Sequence, residues 1–174
     1  MLPPRGGHRG HPVNVSPMAR PLATDTDVDR TALEEFIRPR HHAVLSTFRS
    51  DGGVQMSPVT MGVALDGSIL ISSYPERAKA RNLRNRPQAS LCVLSDSFGD
   101  AWVQVSGPAT VHDLPEALDG LVDYFRSISG EHPDWEEYRR AMVSQGKVLI
   151  RVEIQQWGPV SRGGFPARLM EEDQ

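Results

Sequence analysis

Residues 72–87 read SSYPERAKARNLRNRP and place Arg77, Lys79, Arg81, Arg84 and Arg86 within ten positions of a chain whose formal net charge is −3. The chemistry such a stretch offers is the capture of an anion. On a helix turning 100° per residue, Arg77, Arg81 and Arg84 share one face, with Lys79 and Arg86 nearly opposite. Ala80 and Leu83 form a narrow apolar stripe. Arg81, Arg84 and Arg86 fall in the later turns, where the helix dipole favours cations. Arg77 and Lys79 fall in the first turn, where a cation opposes the dipole at a cost of a few tenths to about 1 kcal/mol. Two readings follow. The stretch is a solvated helix charged all round, or the free N–H groups of its first turn bind a phosphate or carboxylate with Arg77, Lys79 and the hydroxyls of Ser72 and Ser73.

Other chemistry is missing from the sequence. It has no G-x-S-x-G, G-x-G-x-x-G, P-loop or H-E-x-x-H pattern. The six histidines do not cluster at metal-ligand spacing with cysteines or acids, so no metal site is expected. His41 and His42 open a strand and point to opposite faces. Cys92, between Leu91 and Val93, reads as a small core residue rather than a nucleophile. No catalytic acid, base or nucleophile is assigned.

The cationic stretch must be held by the elements around it. Upstream, the alternation in His42–Phe48, Val54–Leu65 and Ser68–Ser73 predicts three strands, turning at 50–53 and at Asp66-Gly67. Pro58 and Gly62 predict an edge, a bulge or a bend inside the second. A short helix with Leu33, Phe36 and Ile37 on one face precedes them, with Thr26 or Asp27 as its cap. Downstream, Gln88–Leu94, Ala101–Val111 and Lys147–Ile154 read as strands. Leu118, Leu121, Val122, Phe125 and Ile128 give a helix ending at Gly130, and Pro133–Ser144 gives another. The links are mostly hairpin-like and nothing alternates as strand–helix–strand over long stretches, which argues against a doubly wound parallel sheet. The expected fold is mainly β with α, a small six-stranded antiparallel barrel with peripheral helices.

At 174 residues the chain suits one domain with a real core. No apolar run approaches the ~20 residues of a membrane span, and the first residues lack the apolar segment of a secretory signal. A single cysteine fits a reducing cytoplasm. The near-neutral charge balance argues against bulk nucleic-acid binding. Residues 1–24 are rich in Pro, Gly and Arg and read as a disordered tail, with Met18 an alternative start. Residues 25–160 form the expected domain, and 161–174 a polar tail.

The segment ILISSYPERAKARNLRNRPQASLCVL resembles the strand, R-x-K helix and strand of the pyridoxamine 5′-phosphate oxidase-like split β-barrel proteins, most closely their deazaflavin-dependent B group. AVLSTFRSDGGVQMSPV, VQVSGPATV and YFRSISGEHPDWEEYRRAMVSQGKVLIRVEI agree in order, over about residues 30–158. The resemblance implies a split barrel and a homodimer with a cofactor site in each of two intersubunit grooves. It implies that Arg77 and Lys79 hold the cofactor phosphate, with Ser72 and Ser73 as strand-end donors. Gln55, Ser57 and Pro58 match the segment lining the isoalloxazine-like ring. Trp102 falls where an aromatic wall could stand, and equally where a core or dimer-interface aromatic could. Trp135 and Trp157 remain unassigned. The C-terminal R-L-H-D-R-type substrate motif is replaced by QQWGPVSRGGFPARL, which argues against pyridoxal phosphate synthesis. The implied activity is hydride transfer from reduced deazaflavin coenzyme F-420 to an electron-poor organic substrate. The alternatives are an FMN-binding oxidoreductase, or a non-catalytic carrier of a flavin, a deazaflavin or a tetrapyrrole.

Overall fold

The computed structural model describes residues 22–166 and Arg168. In chain order its elements are β1 (Thr24–Thr26), α1 (Arg30–Ile37), β2 (His42–Phe48), β3 (Val54–Thr60), β4 (Gly62–Val63), β5 (Ile69–Ser73) and α2 (Ala78–Asn85). There follow β6 (Gln88–Leu94), β7 (Val103–His112), α3 (Ala117–Ser129), α4 (Trp135–Ser144), β8 (Val148–Val152), β9 (Gln156–Trp157) and β10 (Val160–Arg162).

The main sheet has eight strands in the order β3-β2-β6-β7-β8-β5-β4, with β9 also on β7, and its pairings are antiparallel. Only Met61 separates β3 from β4 in the chain, yet they occupy opposite ends of this order. The sheet therefore has to curl until its two edges meet, and the result is a split β-barrel. The expected second strand is β3 and β4 together, divided at the anticipated bend. A Cβ on Gly62 would lie 1.9 Å from Ser127 Oγ, so glycine there lets α3 settle on the bend.

Strand β7 joins the two halves of the barrel. Residues 103–108 pair with β6 and residues 109–112 with β8. Where it crosses over, a Cβ on Gly107 would lie 1.7 Å from Glu153 O, a backbone approach that any side chain would block.

Alternation then sorts the side chains. Ala43, Leu45, Ile69, Ile71, Leu91, Val93, Val103, Val105, Ile150 and Val152 point into the barrel, where Leu33 and Ile37 of α1 and Leu83 of α2 join them. Leu70 and Leu149 face outward and are covered by Leu121, Val122, Tyr138 and Met142 of α3 and α4. Helix α1 starts later than its expected cap. Asp29, not Thr26 or Asp27, accepts from Ala32 N at 2.9 Å. The residue before it is held in the barrel wall: Val28 packs on the core, and its carbonyl accepts from Trp157 Nε1 at 2.9 Å.

The boundaries expected at 24 and 161 fall within a two-stranded ribbon, because β1 pairs with β10 and Ala23 N donates to Phe165 O at 2.9 Å. Residues 1–21 of the expected N-terminal tail, and Met18 among them, lie outside the described residues.

Candidate functional site

Helix α2 begins one residue later than its charge pattern implies. Arg77 is its extended N-cap residue and makes no side-chain cap bond, and no acid occupies the first turn. Lys79 is half-buried in that turn, and its pKa lies below the ordinary lysine value because burial, and secondarily the Arg77 charge, disfavour the ammonium. Among the described residues neither cation makes an ion pair. Later cations behave differently. Arg84 pairs with Asp113 at 2.5 Å, and Arg86 donates to Ser50 O at 3.4 Å. Arg81 is exposed.

The two serines before this helix part company. Ser73 continues the inward row of Ile69 and Ile71, is 4% exposed, and its hydroxyl has no hydrogen-bond partner. Ser72 continues the row of Leu70 toward the other face. Both therefore cannot meet one anion from the same side of the strand. Ser73 is on the side that α2 covers.

Strand β3 is the edge that closes against β5 and α2. Gln55 and Ser57 stand opposite Thr47 and Leu45 and are half-buried on the inward side. Pro58 stands opposite Val44 on the outward side and is exposed, so it does not share a face with Gln55 and Ser57. An unforeseen link ties this strand to the cationic helix. Asn82 Nδ2 donates to Thr47 Oγ1 at 3.0 Å, and Thr47 Oγ1 donates to Gln55 O at 3.5 Å.

Trp102 lies elsewhere. It precedes β7, whereas the end of β5 that leads into α2 lies level with the other end of that strand: Ser73 pairs with Val148, and the next residue, Leu149, pairs with His112. Ten residues of strand separate Trp102 from His112, about 33 Å. Trp102 instead lines a cavity of about 430 Å³ with Gln104, Gln156 and Trp157. It borders the outer face of β3, β2, β6 and β7, where Val54, Met56 and Phe48 are 51%, 65% and 40% exposed. Cys92, expected in the core, is on this outer face opposite Val44 and Gln104, and partial burial raises its thiol pKa. No group of three or more His, Cys, Asp or Glu able to hold a metal occurs among the described residues. No helix among them is long and apolar enough to cross a membrane.

The sequence pattern of pyridoxamine 5′-phosphate oxidase matches residues 30–161. The chain belongs to that family. Within 121 aligned residues it is 26% identical to a biliverdin reductase of Mycobacterium tuberculosis that depends on reduced F-420, over 69% of this chain and 80% of the relative. Among solved structures, a conserved hypothetical protein of M. tuberculosis superposes with a TM-score of 0.65 at 21% identity, over 78% of this chain and 86% of that one. The haem storage protein of Vibrio cholerae gives 0.56 at 18% identity, over 78% and 96%. At these identities the two structures speak for the split-barrel fold of the family and not for a shared ligand.

Two features of this geometry escape a reading of motifs. Asn82 and Thr47 are unremarkable residue types that matter only because α2 crosses β2. Gln104, Gln156 and Trp157 come together only when β9 returns to β7.

Proposed function

We propose that this protein is an oxidoreductase that uses reduced coenzyme F-420 to deliver a hydride to an electron-poor, conjugated organic substrate, and that it works as a homodimer. The observation that carries the reading is the unpartnered Ser73 hydroxyl at the end of β5, on the side that α2 covers, a few residues ahead of the cations Arg77 and Lys79 that open α2. Two adjacent cations lack a carboxylate among the described residues, the lysine charge is already disfavoured, and a buried hydroxyl has nothing to bond. A phosphate satisfies all three at once. Charge-assisted bonds to it would restore the lysine's proton affinity and complete the free N–H groups of the first helical turn.

When bound, the deazaflavin supplies the hydride from ring carbon C5, which suits a chain with no assigned catalytic acid or base. Arg77, Lys79 and Ser73 would hold the phosphate. Gln55 and Ser57, on the same strand edge and face, would line the ring. Ser72 would stand at the other side of the strand end, and Pro58 would keep the edge of β3 free of a further ladder, since it has no N–H. Trp102 is too far along β7 to reach the phosphate site of its own chain, so its cofactor role would be exercised on a second copy. The exposed Val54, Met56 and Phe48 supply the surface that such a copy would cover.

The biliverdin reductase relative supports F-420 over FMN, and makes a linear tetrapyrrole the first substrate to try. Loss of the oxidase's C-terminal motif argues against pyridoxamine phosphate as substrate. The test is a titration of purified protein with F-420 and with FMN, followed by turnover with a panel of tetrapyrroles, quinones and enones. Quenching of deazaflavin fluorescence and oxidation of the reduced coenzyme by a panel member are expected. Tight FMN binding with no response to F-420 would sink the cofactor assignment, and binding without any turnover would make the protein a carrier.

A further inference from the structure

Lys147, just ahead of β8, also carries a charge without an acid among the described residues. Its ammonium sits 3.7 Å from the centroid of the Tyr74 ring. Ser73 pairs with Val148 and Ser72 with Leu149, so one step beyond the ladder Tyr74 stands opposite Lys147. Tyr74 O in turn accepts from Arg77 N at 3.2 Å, closing the turn that leads into α2. Lys147 and Arg77 are thus both fastened to Tyr74, one across its ring and the other through its backbone. A four-residue turn keeps its ends within about 7 Å, so the two cations frame the same end of β5. Glu76, the carboxylate inside that turn, is exposed and makes no ion pair among the described residues.

A ring face fixes an ammonium from one side and leaves N–H donors for another partner. Ser72 faces the side of the strand on which Lys147 and Tyr74 meet, away from Ser73. We infer that the binding site continues around the end of β5 and takes a ligand with two separated anionic groups. A phosphate lies at Arg77, Lys79 and Ser73, and a carboxylate at Lys147 with Ser72 beside it. The inference rests on the proposed cofactor and sharpens it. F-420 carries a carboxylate tail beyond its phosphate, whereas FMN ends at its phosphate and offers Lys147 nothing. Lys147 is then the residue that tells the two cofactors apart.

The experiment measures equilibrium binding of F-420, of the tail-less deazaflavin 5′-phosphate and of FMN to the wild type, Lys147→Gln and Lys147→Arg. Lys147→Gln is expected to weaken F-420 by about 3–5-fold, the upper range of one partly exposed ion pair, and to leave the affinity of the other two ligands unchanged. Lys147→Arg should retain most of the F-420 affinity. An equal loss for all three ligands, or no loss for F-420, overturns the inference. A wild type that binds the tail-less phosphate as tightly as F-420 overturns it alone and leaves the role of Arg77 and Lys79 standing. A wild type blind to both deazaflavins overturns it together with the proposed cofactor.

Discussion

Asn82 donates to Thr47 Oγ1 at 3.0 Å, and this bond joins the cationic helix to the barrel wall. Thr47 is 1% exposed and reaches on to Gln55 O. Asn82 lies three residues after Lys79, on a neighbouring part of the helix surface. The orientation of α2, and with it the direction in which Arg77 and Lys79 point, is therefore set against the strand that carries Gln55 and Ser57.

Removing either partner exposes that dependence. Asn82→Ala leaves the buried Thr47 hydroxyl without its donor and should cost about 1–3 kcal/mol of stability by urea unfolding. Thr47→Val removes the other end of the bond. The double variant should lose clearly less than the sum of the two, since both singles delete one interaction. Strict additivity would show that the contact does not couple helix to sheet.

Lys79 and Arg86 are separated by their surroundings rather than by their charge. Lys79→Ala should weaken cofactor binding by ~1.5–3 kcal/mol, the worth of a charge-assisted hydrogen bond. Arg86→Ala should leave affinity unchanged, because Arg86 donates to Ser50 O at the far end of the helix. Isothermal titration of the two variants side by side is the check. Small and equal effects would return the whole stretch to being a solvated helix face.

The lowered pKa of Lys79 gives a pH signature whose sign follows from linkage. Between that lowered value and 10.5 the folded chain binds fewer protons at this site than the unfolded chain, so the free energy of unfolding rises with pH across the window. Below the lowered value the lysine is charged in both states and the penalty is fully present. A bound phosphate raises the pKa again, so ligand affinity should fall as pH climbs through the same window. Lys79→Met removes both slopes, and it should make the ligand-free protein as stable as the wild type or more so. Thermal unfolding of the two proteins, with and without ligand, across alkaline pH reads the difference directly. Parallel curves would mean that Lys79 does not face the anion.

What was legible in the sequence had local causes. Strand alternation, the Asp66-Gly67 turn and the placement of Lys79 in the first turn of a helix need only neighbouring residues, and each has its counterpart in the fold, with Arg77 one step earlier, at the N-cap. The cap of α1 was misplaced because Thr26, Asp27 and Asp29 are chemically alike, and tertiary packing of Val28 chooses among them. Ser72 and Ser73 looked equivalent as strand-end hydroxyls, although alternation alone sends them to opposite faces. Cys92 was read as core because its neighbours are apolar. Its strand has one wet face, and it stands on that face opposite Val44 and Gln104. The approach of Gly107 to Glu153 O joins residues far apart in the chain, which no local pattern encodes.

The proposed dimer makes a prediction that no monomeric site shares. If Trp102 of one copy completes the site built on Lys79 of the other, Lys79→Ala and Trp102→Ala damage different halves of the same site. Each variant alone should have little reductase activity. Mixed and allowed to exchange subunits, equal amounts give half heterodimers. In each of these one site carries both lesions and the other carries none, so activity should recover to about a quarter of wild type. Adding Met56→Asp to both chains places a charge on the apolar face, which should yield monomers by sedimentation and abolish the recovery while leaving the far-ultraviolet dichroism intact. A mixture no more active than its parents, formed from chains that demonstrably exchange, would mean that Trp102 serves its own chain or none, and that the cavity beside it is not part of the cofactor site.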